Sequence, residues 1–296
     1  MCASNPARCS SSSWTLLVLL NTDRYPLTRP DSVEWRATVC HVRTALRDDG
    51  CCVLADFIAP ALIDTLRAEG AALAPEAYYR TETVNAYNLP LDSPLPSGHP
   101  GRITMERGNA FVPRDRIPPD AVIARLYALP EFRRFVADCF GLPAVFPLAD
   151  PLAGLVLNVV RPGQEHPWHF DTNEYTVSLL TQQPEAGGVF EYCPAIRSSA
   201  EENLDGVRAV LTGGGKSMIR RLTLRPGDLQ LFQGRYALHR VSPVLGGAAR
   251  HTAILAYTER PGVIGSVART RQLFGRVLPA HLAGAGTSVR PDALLD

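Results

Sequence analysis

Beyond Pro147 the apolar residues stop recurring at helical spacing and begin to alternate, and this switch limits the fold more than any other feature of the chain. Leu155–Val160, Tyr175–Leu180, Val189–Tyr192, Met218–Leu224, Leu229–Phe232 and His251–Tyr257 all read as strands. Turn residues separate them: Arg161-Pro162-Gly163, Pro184 to Gly188, Arg225-Pro226-Gly227-Asp228 and Gly246-Gly247. Short strands at such intervals suggest a β-sandwich or barrel. Ahead of them the pattern is helical. Pro30-Asp31-Ser32 supplies a cap for a helix in which Val33, Ala37, Cys40, Thr44 and Ala45 recur at helical spacing. Gly50 ends it, and Cys51–Leu54 reads as a short buried strand. A second helix opens at Pro60 and runs through Leu62, Leu66 and Leu73; a third spans Pro130–Phe140, with Gly141 past its end. Helices first and a β core second make the expected class α+β, without internal repeats.

Residues 75–120 differ in kind. Pro90, Pro94, Pro96, Pro100, Pro113, Pro118 and Pro119 lie among tyrosines, arginines and glycines with little periodicity. The aromatic and charged content predicts a lid that packs over something. The expected organisation is a disordered lead over 1–30, then a single domain over 31–296. Its lid or insert is 75–120 and its β core 147–260.

Composition narrows the partners. The chain has 296 residues, 46% hydrophobic and 20% charged, which is an ordinary globular balance. Thirty basic side chains against 29 acidic ones leave no field for a polyanion, so nucleic acid and bilayer surfaces are not expected partners. Lys216 is the sole lysine; the other 29 basic residues are arginine, a skew ascribed to a GC-rich genome. Seven cysteines, with an adjacent pair Cys51-Cys52 and no CxxC, argue for reduced thiols in a cytoplasmic protein. The run Trp14–Leu20 after Arg8 lacks the compact basic start and the cleavage site of a signal peptide.

Three residues carry chemistry. His169 and Asp171 are two apart in an extended stretch, so their side chains leave the same face. His239 follows just after the Leu229–Phe232 strand, where a neighbouring strand can bring it beside the first pair. Two imidazoles and one carboxylate on one face of a metal leave the other positions open, as in non-heme iron(II) oxygenases. An HxD pair alone is a weak signal. Arg250 strengthens it: with Thr252 on the same face of the same strand, it makes a receptor for a carboxylate.

HxD, a distant His and an Arg one strand later look like the iron(II)/2-oxoglutarate-dependent dioxygenases. The wording between them sharpens the likeness: Asn158-Val-Val-Arg-Pro-Gly163, His166-Pro-Trp-His-Phe-Asp171, Gly187-Gly-Val-Phe-Glu-Tyr192, Gly227-Asp-Leu-Gln-Leu-Phe232 and Gly234-Arg-Tyr-Ala-Leu-His-Arg-Val241. Over roughly residues 33–275 the chain resembles the bacterial group of free-amino-acid hydroxylases and their radical-halogenase relatives. The resemblance implies a double-stranded β-helix, or jelly roll, with the early helices packed outside. It implies iron(II) on His169, Asp171 and His239, and 2-oxoglutarate held by Arg250 with Thr252, Asn158 touching it. O₂ is then consumed with release of succinate and CO₂. Halogenases of that group carry a small residue where this chain has Asp171, so hydroxylation of a small metabolite, an amino acid or a derivative, is the expected outcome and chlorination is not.

Substrate contacts are less determined by the sequence. His166 reads either as a donor to the substrate or as a loop histidine beside Pro167. Arg80 or Arg102 would hold a substrate carboxylate and Glu106 or Asp92 an amine, unless all four are solvated. Glu191 reads as an acid behind the site or as the outward residue of its strand, while Trp168 and Phe170 read as core. Ile254 and Ala256 continue the face of Arg250 and are apolar, which points away from a lysine-like substrate. The same oxidative chemistry would also serve desaturation, ring formation or a carrier-bound substrate. A jelly-roll binding protein without turnover is the other alternative, and the intact triad argues against it.

Overall fold

The computed structural model describes residues 18–283 and 294–295. Four helices come early: α1 (Val33–Asp49), α2 (Ile63–Leu73), α3 (Val122–Ala128) and α4 (Pro130–Phe140). Ser32 caps α1 by accepting from the Trp35 amide, and Gly50 ends it at φ 70°, a left-handed conformation that glycine adopts without a Cβ clash. The buried stripe of α1 is Trp35, Val39, Val42 and Leu46. It is not the stripe predicted, for Cys40 is exposed and Val33 is 70% exposed. Both sets recur at helical spacing, and the face with the larger apolar side chains is the one buried.

Twelve of the sixteen strands among the described residues build the two main sheets and one hairpin: β1 (Cys51–Leu54), β2 (Glu82–Asn85), β3 (Thr104–Arg107), β4 (Ala110–Val112), β5 (Leu155–Val160), β6 (His166–His169), β7 (Thr176–Gln182), β8 (Phe190–Cys193), β9 (Arg220–Leu222), β10 (Leu229–Phe232), β11 (Leu238–Val241) and β12 (Arg250–Leu255). A six-stranded sheet runs β1-β10-β7-β12-β5-β4, and a four-stranded sheet runs β9-β8-β11-β6, every pairing antiparallel. From β5 to β12 the chain passes repeatedly from one sheet to the other. The predicted strand 218–224 is shorter because Lys216–Met218 forms a 3₁₀ turn.

Alternation decides which side of the large sheet does what. Leu155, Leu157, Val159, Val177, Leu179, Leu229, Leu231, Ala253 and Leu255 share the main core with residues of α1, α2 and α4. The residues between them, Asn158, Ser178, Gln230, Phe232, Thr252 and Ile254, face a cavity of about 260 Å³ closed on its other side by the small sheet.

Two expected segments are corrected. Residues 18–30 are not a disordered lead: Leu19, Leu20, Tyr25 and Leu27 are buried, Leu20 bridges to Ile58, and the Tyr25 hydroxyl donates to the Ala55 carbonyl at 2.6 Å. Residues 1–17 of that lead, with most of the Trp14–Leu20 run, lie outside the described residues. The 75–120 segment is not a free lid either. It folds as the β2–β3 hairpin and β4, which pairs with β5 at the edge of the large sheet, and Tyr87 is fully buried. The mouth of the cavity is covered instead by α6 (Val267–Phe274) and the stretch before it, while α5 (Leu204–Leu211) lies elsewhere. Cys51, Cys52, Cys139 and Cys193 are buried free thiols. Among the described residues no helix is long and apolar enough to cross a membrane.

Candidate active site

β6 and β11 are neighbours in the small sheet, and their register sets His169 directly opposite His239. Each imidazole is oriented the same way. The His169 Nδ1–H donates to the Pro167 carbonyl and the His239 Nδ1–H to the Ala237 carbonyl, both at 2.8 Å. With that proton committed, the lone pair on Nε2 is left pointing into the cavity. Asp171 Oδ1 lies 3.6 Å from His169 Nε2 and 3.5 Å from His239 Nε2. One ligand atom from each of the three lies within 4.8 Å of the others.

The surroundings keep these groups in the form a metal needs. Burial pushes the His169 imidazole down to about 4, helped by His239, so it is neutral near pH 7. Burial alone would raise the Asp171 carboxyl, but the imidazoles of His239 and His169 outweigh it and hold it well below the usual carboxylate range. Its other oxygen accepts from the Thr176 hydroxyl at 2.6 Å, and its amide donates to the Gly234 carbonyl at 3.1 Å. Two imidazole nitrogens facing the cavity and an anchored carboxylate oxygen suit a divalent iron with open positions.

Arg250 enters from the large sheet. It is 4% exposed, lines the cavity, donates from Nη1 to the Thr252 hydroxyl and has no carboxylate partner among the described residues. Burial pushes its guanidinium down to about 10, still cationic near neutral pH. A buried cation with only a hydroxyl beside it is an incomplete pair, and a carboxylate entering the cavity completes it. Asn158 sits beside Thr252 in the register and accepts from Asn109 Nδ2 at 3.0 Å.

The other predicted positions divide sharply. His166 and Ile254 line the cavity, and the His166 ring stacks on His169 with centroids 3.8 Å apart. Arg80, Arg102 and Glu106 do not reach it. Arg80 is exposed and pairs with Glu82 at 3.2 Å, Arg102 donates to the Leu95 carbonyl, and Glu106 is exposed on β3. Asp92 is exposed as well. Because the 75–120 hairpin packs beside the sheets rather than over the mouth, these side chains face solvent. Glu191 turns away from the cavity to meet Arg221 at 2.7 Å and Arg240 at 2.6 Å. Trp168 and Phe170 are core residues, as expected, with Arg240 and Arg197 stacked on them. Unforeseen in the sequence were Thr176, Phe111 and, at the cavity mouth on α6, Arg269.

The family model described as Halogenase D matches residues 99–269, more than half of the chain. The chain belongs to the halogenase D family. Among the described residues, His169, Asp171 and His239 could hold a metal ion. Similar folds occur among solved structures. The non-heme α-ketoglutarate-dependent carbocyclase SnoK from nogalamycin biosynthesis is 13% identical with a TM-score of 0.52, over 80% of this chain and 92% of that one. AviO1 from Streptomyces viridochromogenes Tue57 is 17% identical with a TM-score of 0.51, over 76% of this chain and 96% of that one. Both likenesses concern the fold. No curated protein matches in sequence. This halogenase D family member has a carboxylate, Asp171, between the two histidines.

Proposed function

We propose that the protein is an iron(II)/2-oxoglutarate-dependent oxygenase that hydroxylates an unactivated C–H bond of a small, largely apolar metabolite, a free amino acid or a derivative of one. The observation that carries this reading is Asp171 Oδ1, which faces the Nε2 atoms of both histidines and is fixed from behind by Thr176. A carboxylate in that place fills the position a halide would need. The reading includes the fold: the two facing sheets are taken as the walls of a double-stranded β-helix, one domain with α1, α2 and α4 on its outside.

His169, Asp171 and His239 would hold the iron, and Arg250 with Thr252 would receive the distal carboxylate of 2-oxoglutarate. When bound, the iron and 2-oxoglutarate supply an oxidant derived from O₂ that is strong enough to take hydrogen from an unactivated carbon. The chain's own residues do the rest. The carbonyls of Pro167 and Ala237 keep both Nδ1 protons, so neither imidazole turns over during the cycle. Arg250 fixes the co-substrate from the large sheet while the triad holds the opposite wall, which orients it across the cavity. Phe111, Val156, Ile254, Leu273 and Phe274 line the remaining space, exclude water and leave room for an apolar body.

The test is turnover of a panel of L-amino acids with iron(II), 2-oxoglutarate and O₂ in chloride buffer, followed by succinate and by product mass. The expected product of an apolar substrate has gained one oxygen. A product that has exchanged hydrogen for chlorine contradicts the reaction class. Lysine or ornithine turned over best contradicts the apolar substrate.

A further inference from the structure

Arg80 and Arg102 do not reach the cavity, so neither of the sequence-derived candidates can hold a substrate anion. One cation does reach it and is not used by the oxygenase reading. Arg269, on the helix that covers the mouth, lines the cavity together with Leu273 and Phe274 of the same helix. Its Nη1 donates to Gln272 Oε1 at 2.6 Å, a neutral partner, and no carboxylate pairs with it among the described residues. Burial pushes its guanidinium down to about 10, and nearby Arg107 acts in the same direction, with Asp171 and Glu82 opposing. Arg107 itself is 4% exposed. Its Nη2 donates to Glu82 Oε2 at 2.8 Å, while its Nε and Nη1 are buried without a partner.

The charge balance at this end of the cavity is therefore one-sided. Two guanidiniums, Arg107 buried and Arg269 half-buried on the cavity wall, share the neighbourhood of one carboxylate, Glu82, which Arg80 also engages. Asp171 is committed to the two imidazoles and Thr176. A cation withdrawn from water is favoured where an anion completes it. 2-Oxoglutarate cannot be that anion at both places, because Arg250 approaches from the large sheet whereas Arg269 comes from the covering helix. Beside Arg269 the walls are apolar, from Phe111, Val156, Ile254, Leu273 and Phe274.

We infer that Arg269 is the receptor for the carboxylate of the substrate, so that the substrate enters acid group towards α6 with its apolar body along Phe111, Ile254 and Leu273. This rests on the oxygenase reading and adds a specificity-determining residue to it. The planar fork suits a carboxylate, and a neutral group in its place leaves the guanidinium unpaired.

The experiment is anaerobic calorimetric titration of the iron(II)-loaded protein, first with 2-oxoglutarate, then with L-leucine, L-isoleucine, L-methionine and L-phenylalanine and with the carboxamide of each. At least one acid is expected to bind, and its amide to bind about tenfold or more weakly, as loss of a charge-assisted bond implies. Arg269→Leu should weaken the acid by about ten- to a hundredfold. It should leave both the amide and 2-oxoglutarate unchanged, and the unchanged 2-oxoglutarate binding shows that the variant is folded. Arg269→Lys should restore part of the loss. An acid bound equally well by wild type and Arg269→Leu overturns the proposal, as does an amide that matches its acid. So does a wild type that binds none of the four acids, or an Arg269→Leu variant weakened towards 2-oxoglutarate instead. A wild type that fails to bind 2-oxoglutarate strikes the oxygenase reading itself, a result distinct from all of these.

Discussion

Gly234 is glycine because Asp171 leaves room for nothing larger. A Cβ there would lie 2.1 Å from Asp171 Oδ2 and 2.5 Å from Thr176 Oγ1, so any side chain must displace the carboxylate or the hydroxyl that holds it. Gly234→Ala is expected to lower iron affinity by about ten- to a hundredfold, the usual cost of disturbing a group that orients a ligand. Metal titration checks this, and an unchanged affinity would mean that Asp171 is not a ligand. At this scale much of the site was legible in the sequence. His169 and Asp171 are paired by strand spacing alone, and Arg250 and Thr252 likewise, because alternation puts i and i+2 on one face. Arg269 and Thr176 were not legible. Their positions relative to the cavity depend on where a short helix and the first residue of β7 come to rest, which no local periodicity encodes.

Elements were read with mixed success, and the physical reasons differ. Both ends of α1 are announced by Ser32 and Gly50, whose capping chemistry is local. Its buried face is not local, since the small Ala37, Cys40 and Ala45 compete at the same period with Trp35, Val39, Val42 and Leu46. Trp35 decides it: the indole is 2% exposed, packs edge-on against Phe135 at 5.4 Å and donates from Nε1 to Asp138 at 2.9 Å. Trp35→Ala should therefore cost about 3–5 kcal/mol of folding stability, while Val33→Ala should stay within about 0.5 kcal/mol. Urea denaturation of the two variants measures the difference, and equal costs would place the buried face elsewhere. The prolines of 75–120 misled for a related reason. They break periodicity, yet the backbone donors between them are met by the β2–β3 hairpin and by β4 on β5, pairings between residues far apart in sequence.

Two sheets face each other across one cavity, with the triad on the small sheet and Arg250 on the large one, so the whole molecule must be folded for the site to exist. Its acid stability should depend on His251, on the opposite side of β12 from the cavity. The residue is 3% exposed with an unpartnered Nδ1, and burial pushes its imidazole from 6.5 down to about 4. The unfolded chain therefore takes up the proton first, and stability falls as pH drops from 6.5 towards 4, by about 3 kcal/mol from this group. His166 and His169 are depressed in the same direction and add to the loss. His251→Leu should flatten the pH dependence of the thermal midpoint over that interval, and a curve parallel to wild type would contradict the assignment. We propose that His169, Asp171 and His239 hold iron(II) opposite an Arg250 receptor for 2-oxoglutarate. Anaerobic addition of iron(II) and 2-oxoglutarate tests it most directly. A weak visible charge-transfer band is predicted for the wild type and none for the Asp171→Ala, His239→Ala double variant; a wild type with neither the band nor 2-oxoglutarate binding would contradict it.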